Sequence, residues 1–143
     1  WVAKNGQDNS FSAYLFNSSL IVLAVSYGLF YIMFLKIQFR ISEKYFIKMA
    51  LIITISLSLL SFILVAVFPS EGPTFNLHIF FVKAAFRLLL IHCLIQVYNL
   101  FQNSVFGSSI KIISVIFSAA LFLFILVMEF GPNPFEDNRS LLI

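Results

Sequence analysis

Lys83 and Arg87 stand four residues apart inside the apolar run Ile79 to Leu100, and they are the formal charges placed deepest within any such run of this 143-residue chain. A spacing of four puts both on one helical face. If the helix starts near His78, Arg87 lies roughly 13 Å below that start at 1.5 Å per residue. A charge near the centre of a bilayer costs at least about 2.5 to 3.5 kcal/mol, so it calls for a partner, a wet cavity or a snorkelling route. Acids able to serve are few: none lies between Glu71 and Glu129, and the first two apolar runs contain none. Glu129, at the end of the fourth run, is the expected mate of Lys83, with Glu71 second. Arg87 is expected to bond carbonyls or an acid on another subunit. The chemistry on offer is structural ion pairing, or attraction of an anion or lipid head group.

On the opposite face of the same run, His78, His92, Gln96, Asn99 and Asn103 fall within a sector of about 60° at the helical turn angle. This polar stripe suits hydrogen bonds to neighbouring helices or the lining of a cavity. The two histidines, 14 residues apart, are separated by roughly 21 Å of rise and cannot share one metal. The same spacing would suit axial ligands to two separate haems, one near each membrane face. A second ligand would then have to come from Met33, Met49, Met128 or another subunit. No cofactor is the leading expectation, and haem the alternative. No hydrolase elbow, phosphate loop, zinc spacing or paired carboxylate site is present, and no Ser combines with a His and an acid at a spacing that supports a nucleophile. An enzyme is not expected.

The elements that hold these residues follow from composition. The chain is 61% hydrophobic, 17% aromatic and 10% charged, with a mean hydropathy of +1.01, against about 25% charged residues in a soluble domain. Most of its surface must therefore face lipid. A spanning helix needs about 20 mainly apolar residues, and four such runs fit, giving expected spans near 18–38, 49–68, 78–101 and 110–130. They are apolar on all sides, unlike the amphipathic helices of a soluble bundle. Pro69, Gly72 and Pro73 punctuate the second connection, Gly107 the third, and Gly131-Pro132-Asn133-Pro134 closes the fourth run. The expected fold is a single all-α integral membrane bundle of four transmembrane helices, either complete or part of a longer chain.

Orientation follows from the basic residues. Lys36, Arg40, Lys44 and Lys48 occupy the first connection and Lys111 follows the third run, whereas the second connection holds Glu71 and no basic residue. The positive-inside rule places the first and third connections on the cytoplasmic side and both termini opposite. The sequence begins at Trp1, and an outside amino terminus calls for an upstream helix or a cleaved signal, since nothing before Leu20 would deliver it. Asn17-Ser18-Ser19 and Asn138-Arg139-Ser140 fit the glycosylation triplet on that same side. The four basic residues of the first connection recur every four positions and suit interfacial anchors beside anionic head groups, or a dedicated lipid or partner site. With a net charge of +3 and no long basic cluster, nucleic acid is excluded as a partner. The single cysteine, Cys93, lies in an apolar run and permits no intrachain disulfide.

Helices already in lipid gain little from apolar burial against each other, so close backbone approach and polar contacts must hold them. Small residues recur at spacings of four: Ala24 and Gly28 in the first run, Ala50, Thr54 and Ser58, continuing to Ser61, in the second, and Ser114 and Ser118 in the fourth. These faces are expected to touch other helices.

The turn Phe68-Pro69-Ser70-Glu71-Gly72-Pro73, followed by His78 at a helix start, resembles a pattern in an uncharacterised prokaryotic family of six-helix membrane proteins, in which an FP-[ST]-[DE] turn precedes a histidine. The resemblance covers only this stretch, and it implies Glu71 and His78 as a paired outer-surface feature. The expected function is that of a non-enzymatic accessory or scaffold subunit associated with other membrane helices, as a homo-oligomer or in a larger complex. The alternative is a transport or channel module that binds an anion or lipid head group through Lys83 and Arg87.

Overall fold

The computed structural model describes residues 10–41, 44–68 and 72–131. Four helices follow one another: α1 (Ser10–Ile41), α2 (Tyr45–Val67), α3 (Phe75–Gln102), entered through a 3-10 turn at Gly72–Thr74, and α4 (Ser108–Phe130). Each is long and apolar enough to cross a membrane. Hydrocarbon offers no partner to a backbone N–H or C=O, so segments of this composition close their hydrogen bonds internally as helices. The fold is the expected all-α membrane bundle of four spanning helices. No strand occurs among the described residues.

The helix boundaries have local causes. The N–H of Phe68 still bonds the Leu64 carbonyl at 2.9 Å, but Pro69 has no N–H with which to continue the ladder. Asn103 ends α3 by donating its side-chain Nδ2 to the Asn99 carbonyl at 2.9 Å. Gly131 ends α4, where a Cβ would collide with the Val127 carbonyl oxygen, so only glycine fits. At its amino end α1 departs from expectation, beginning at Ser10 instead of near residue 18. Once a helix is nucleated each further turn costs little, and Phe11, Tyr14 and Phe16 supply the aromatic side chains that favour a membrane interface. Asn17, the first glycosylation triplet's acceptor, consequently lies within a helix and not on a loop. The second triplet lies outside the described residues.

Consecutive helices are neighbours. α2 and α3 form the central antiparallel pair, α1 lies along α2, and α4 along α3. The central pair meets where side chains are smallest. Ser58 and Ala85 are both fully buried, and Ser58 Oγ donates to the Ala85 carbonyl across the interface at 2.9 Å. On one side Tyr31, Leu35, Leu51 and Ile55 form a buried cluster, and on the other Cys93, Leu121 and Ile125 form a second; Leu89 packs against both. Phe86 joins three helices, its ring edge-on to Phe62 at 5.3 Å and tilted against Phe124 at 4.8 Å. The small-residue faces do pack: Ala24, Ser58, Ser61 and Ser118 are buried, and a Cβ on Gly28 would stand 3.3 Å from Leu59 Cδ1. Thr54, Ser61, Ser114 and Ser118 also bond back to carbonyls of their own helices. Close packing and back-bonding are therefore not alternatives here. Phe30, Met33, Phe46 and Val127 are among many large apolar side chains that remain exposed, as lipid-facing residues must.

The contact at Ser58 leaves no room for a larger side chain. Ser58→Leu is expected to separate α2 from α3 and destabilise the bundle by about 1–3 kcal/mol in a detergent unfolding titration, the usual cost of overpacking. Ser56→Leu, on the exposed side of the same helix, should change it little.

Candidate functional site

α3 carries the polar groups, and each of the other helices answers some of them. Lys83 and Arg87 project from one face toward α4, as their spacing requires, and both end on Glu129. Lys83 Nζ lies 3.0 Å from Oε2, and Arg87 Nη2 lies 2.6 Å from Oε1. The pairing expected for Lys83 is present. The expectation for Arg87 is corrected: it reaches an acid of its own chain, because a carboxylate has two oxygens and each can accept one cation. The geometry is that of snorkelling along a helix. Arg87 lies about 18 Å along a helix about 42 Å long, and its long side chain reaches toward the end of α4, where Glu129 sits in the last turn. Burial is unequal: the side chains of Arg87, Lys83 and Glu129 are 56%, 36% and 19% exposed. The cluster thus presents a surplus positive charge on the side where Arg87 faces outward. Glu71, the second acid considered for Lys83, lies outside the described residues.

The stripe on the opposite face is mostly buried. His92, Gln96 and Asn99 belong to the protein interior. His92 Nδ1 lies 3.0 Å from Thr54 Oγ1 on α2, and Tyr31 on α1 donates its hydroxyl to Gln96 Oε1 at 3.2 Å. The Tyr31 ring stands edge-on to the His92 imidazole at 4.7 Å. Asn99 and Asn103 interact with each other at the end of the helix. His78 is separate from this network: its Nδ1 lies 2.7 Å from the Phe68 carbonyl, so it fastens the start of α3 to the end of α2. The two histidines therefore serve different elements. Met128 packs with the Cys93 cluster, and among the described residues no group of three His, Cys, Asp or Glu is placed to hold a metal.

Tyr31 and Gln38 were not among the residues singled out from sequence, and Thr54 was named only as a small residue of a packing face. Gln38 is 1% exposed, with neither amide atom partnered among the described residues. The signal that would have found two of them is the Ala24–Gly28 face continued at helical spacing, through Tyr31 and Leu35 to Gln38.

The basic connection gathers at one end of the bundle, where α1 and α3 end and α2 and α4 begin. Lys48 Nζ donates to the Phe39 carbonyl in the last turn of α1 at 2.9 Å, a favourable place for a cation. Lys44 lies over the Tyr98 ring and Lys111 over the Phe101 ring, each at 5.7 Å. Lys36 and Arg40 are exposed. The lysines Lys44, Lys48 and Lys111 thus have structural partners, as interfacial anchors do.

No family model, no curated protein and no solved structure matches the chain. The likeness of the stretch from Phe68 to His78 to a six-helix family stays a local one, and residues 69–71 of it lie outside the described residues.

Two substitutions test these ties. Glu129→Gln removes the counter-ion of both cations and is expected to lower the thermal midpoint of the chain in lipid nanodiscs. Adding Lys83→Met and Arg87→Met should restore most of the loss; an unchanged midpoint in the single variant would show that the cluster does not hold α3 to α4. Thr54→Val keeps the shape but strips His92 Nδ1 of its partner, for an expected cost of about 1–3 kcal/mol. Ser61→Ala, which loses only a bond within its own helix, should be nearly neutral in the same unfolding titration.

Proposed function

We propose that the chain is a non-enzymatic, multi-pass membrane protein that acts as an accessory or scaffold subunit of a membrane complex, with the basic connection on the cytoplasmic side and both termini opposite. The observation that carries this reading is the use made of the two in-span cations. Both are spent on a carboxylate of the same bundle. Among the described residues one cleft is lined by α1 and α2 and another by α1, α3 and α4, and neither includes Lys83, Arg87 or Glu129. A permeation site would need its cations along a wet path. The buried stripe of α3 is likewise engaged in ties to α1 and α2, which suits a helix that organises its neighbours.

One observation favours a second reading. Two cations share one carboxylate, and Arg87 is more than half exposed, so the surplus charge supports attraction of an anion or lipid head group at that face. The two readings separate in one experiment on the full chain, extracted with its native lipids for native mass spectrometry and reconstituted for anion flux. The scaffold reading expects a fixed stoichiometry with other membrane chains and a flux no greater than that of protein-free vesicles. A lone chain supporting an anion flux that Arg87→Gln abolishes would overturn it in favour of transport.

A further inference from the structure

α1 and α4 flank α3 on the same side without meeting: among the described residues no Cα of α1 lies within 8 Å of one in α4. The space left between them is a cleft of about 250 Å³, open at its mouth and floored by His92, Cys93 and Gln96 of α3. Its walls are aromatic on the α1 side, with Tyr27, Phe30 and Phe34, and carry Phe117 and two serines on the α4 side. Phe30 and Phe117 are well exposed, so the mouth faces the surroundings of the bundle, which in a membrane is lipid.

Two residues of the floor each hold a buried polar atom with no partner. His92 is 1% exposed and Gln96 9%, yet His92 Nε2 and Gln96 Nε2 make no hydrogen bond. Their chemistry follows from counting protons. Thr54 has one hydroxyl hydrogen, and its Oγ1 lies 2.7 Å from the Ala50 carbonyl, which can only accept it. Thr54 must then accept from His92, so the neutral imidazole carries its proton on Nδ1 and presents a bare lone pair at Nε2. Gln96 Oε1 already accepts from Tyr31, so its free Nε2 is a donor. One acceptor and one donor, one helical turn apart on the same face, complement a single hydroxyl group, which donates once and accepts. Leaving both atoms unmatched in a nonpolar interior is unfavourable, and a bound hydroxyl would remove that cost.

We propose that this cleft binds a neutral, flat-ring lipophilic alcohol, whose hydroxyl donates to His92 Nε2 and accepts from Gln96 Nε2 while its ring lies between the aromatic walls. No lining residue is charged, and an ionic head would lose its hydration there without compensation. Phospholipids are therefore poor occupants. The volume falls just under the ~300–1,000 Å³ usual for small-ligand sites, which fits a ring held in the protein with its tail left in the bilayer. Quinols and sterols share this chemistry. The inference is independent of the scaffold reading.

The test is equilibrium binding of two radiolabelled probes, a decyl-substituted hydroquinone and cholesterol, to the full chain in phosphatidylcholine nanodiscs. Saturable binding of one of them, at one per chain, is expected, and which one saturates identifies the ring. The fully O-methylated form of that probe, which has no hydroxyl to donate to His92, should bind at least tenfold more weakly. Gln96→Leu should weaken binding about tenfold. Ser114→Phe should abolish it by filling the cleft from the α4 wall; Ser114 bonds only its own helix, so helicity and monodispersity should be kept. This variant leaves the buried pair intact and decides the matter even if Gln96→Leu fails to fold. Saturation by neither probe, equal binding of the methyl ether, or binding indifferent to Ser114→Phe would each overturn the proposal.

Discussion

A polar side chain placed in hydrocarbon has to find its partner within the protein, and in this bundle one helix carries most of the large ones. α3 carries Lys83, Arg87, His92, Gln96 and Asn99 between its ends. Glu129 of α4, Thr54 of α2 and Tyr31 of α1 answer four of the five. Each tie recruits a different helix, and together they make α3 the member whose side chains are tied to all the others. The energies explain why this acts as specification more than as glue. A hydrogen bond between membrane helices averages about 0.6 kcal/mol, whereas an unmatched charge at mid-span costs at least about 2.5–3.5 kcal/mol. The penalty for a wrong arrangement exceeds the reward for the right one, so competing packings of these apolar helices are disfavoured.

The same distribution accounts for the open shape. α1 and α4 have few polar groups that must be matched, and each needs only one neighbour, because lipid covers their remaining faces as well as protein would. Ser58 against Ala85 brings the central pair into backbone contact, and Phe86 spreads the packing from α2 to α4. Among the described residues nothing comparable draws α1 toward α4. A cleft between them, with unmatched polar atoms on its floor, follows from the order in which the ties are made.

The four spans were legible because composition alone requires them, and the partner of Lys83 because Glu129 is an acid at the right end of a neighbouring run. The fate of Arg87 was not, since one acid per cation was assumed where one carboxylate serves two. The stripe from His92 to Asn103 could be read from its angular spacing, but its partners could not. Thr54 was noted only as a small residue in a packing face, and Tyr31 sits in a run so rich in rings that its hydroxyl carries no signal. Gln38 lay at the expected end of a span, where a polar residue looks interfacial, yet α1 continues to Ile41 and buries it. Helix ends in lipid are set by how far the ladder can be extended and how neighbouring ends are fastened, as Lys48 fastens α1, and hydropathy does not record either.

The central claim is that α3 is held to α4 by charges matched inside the bundle. Solid-state NMR of the chain in lipid bilayers measures this directly, through the dipolar coupling between 15N at the lysine Nζ and 13C at the glutamate Cδ. An Nζ–Oε2 distance of 3.0 Å requires a measurable coupling that disappears in Lys83→Met. A spectrum without that coupling would mean that Lys83 reaches the interface alone, and that α3 is not the helix on which the others depend.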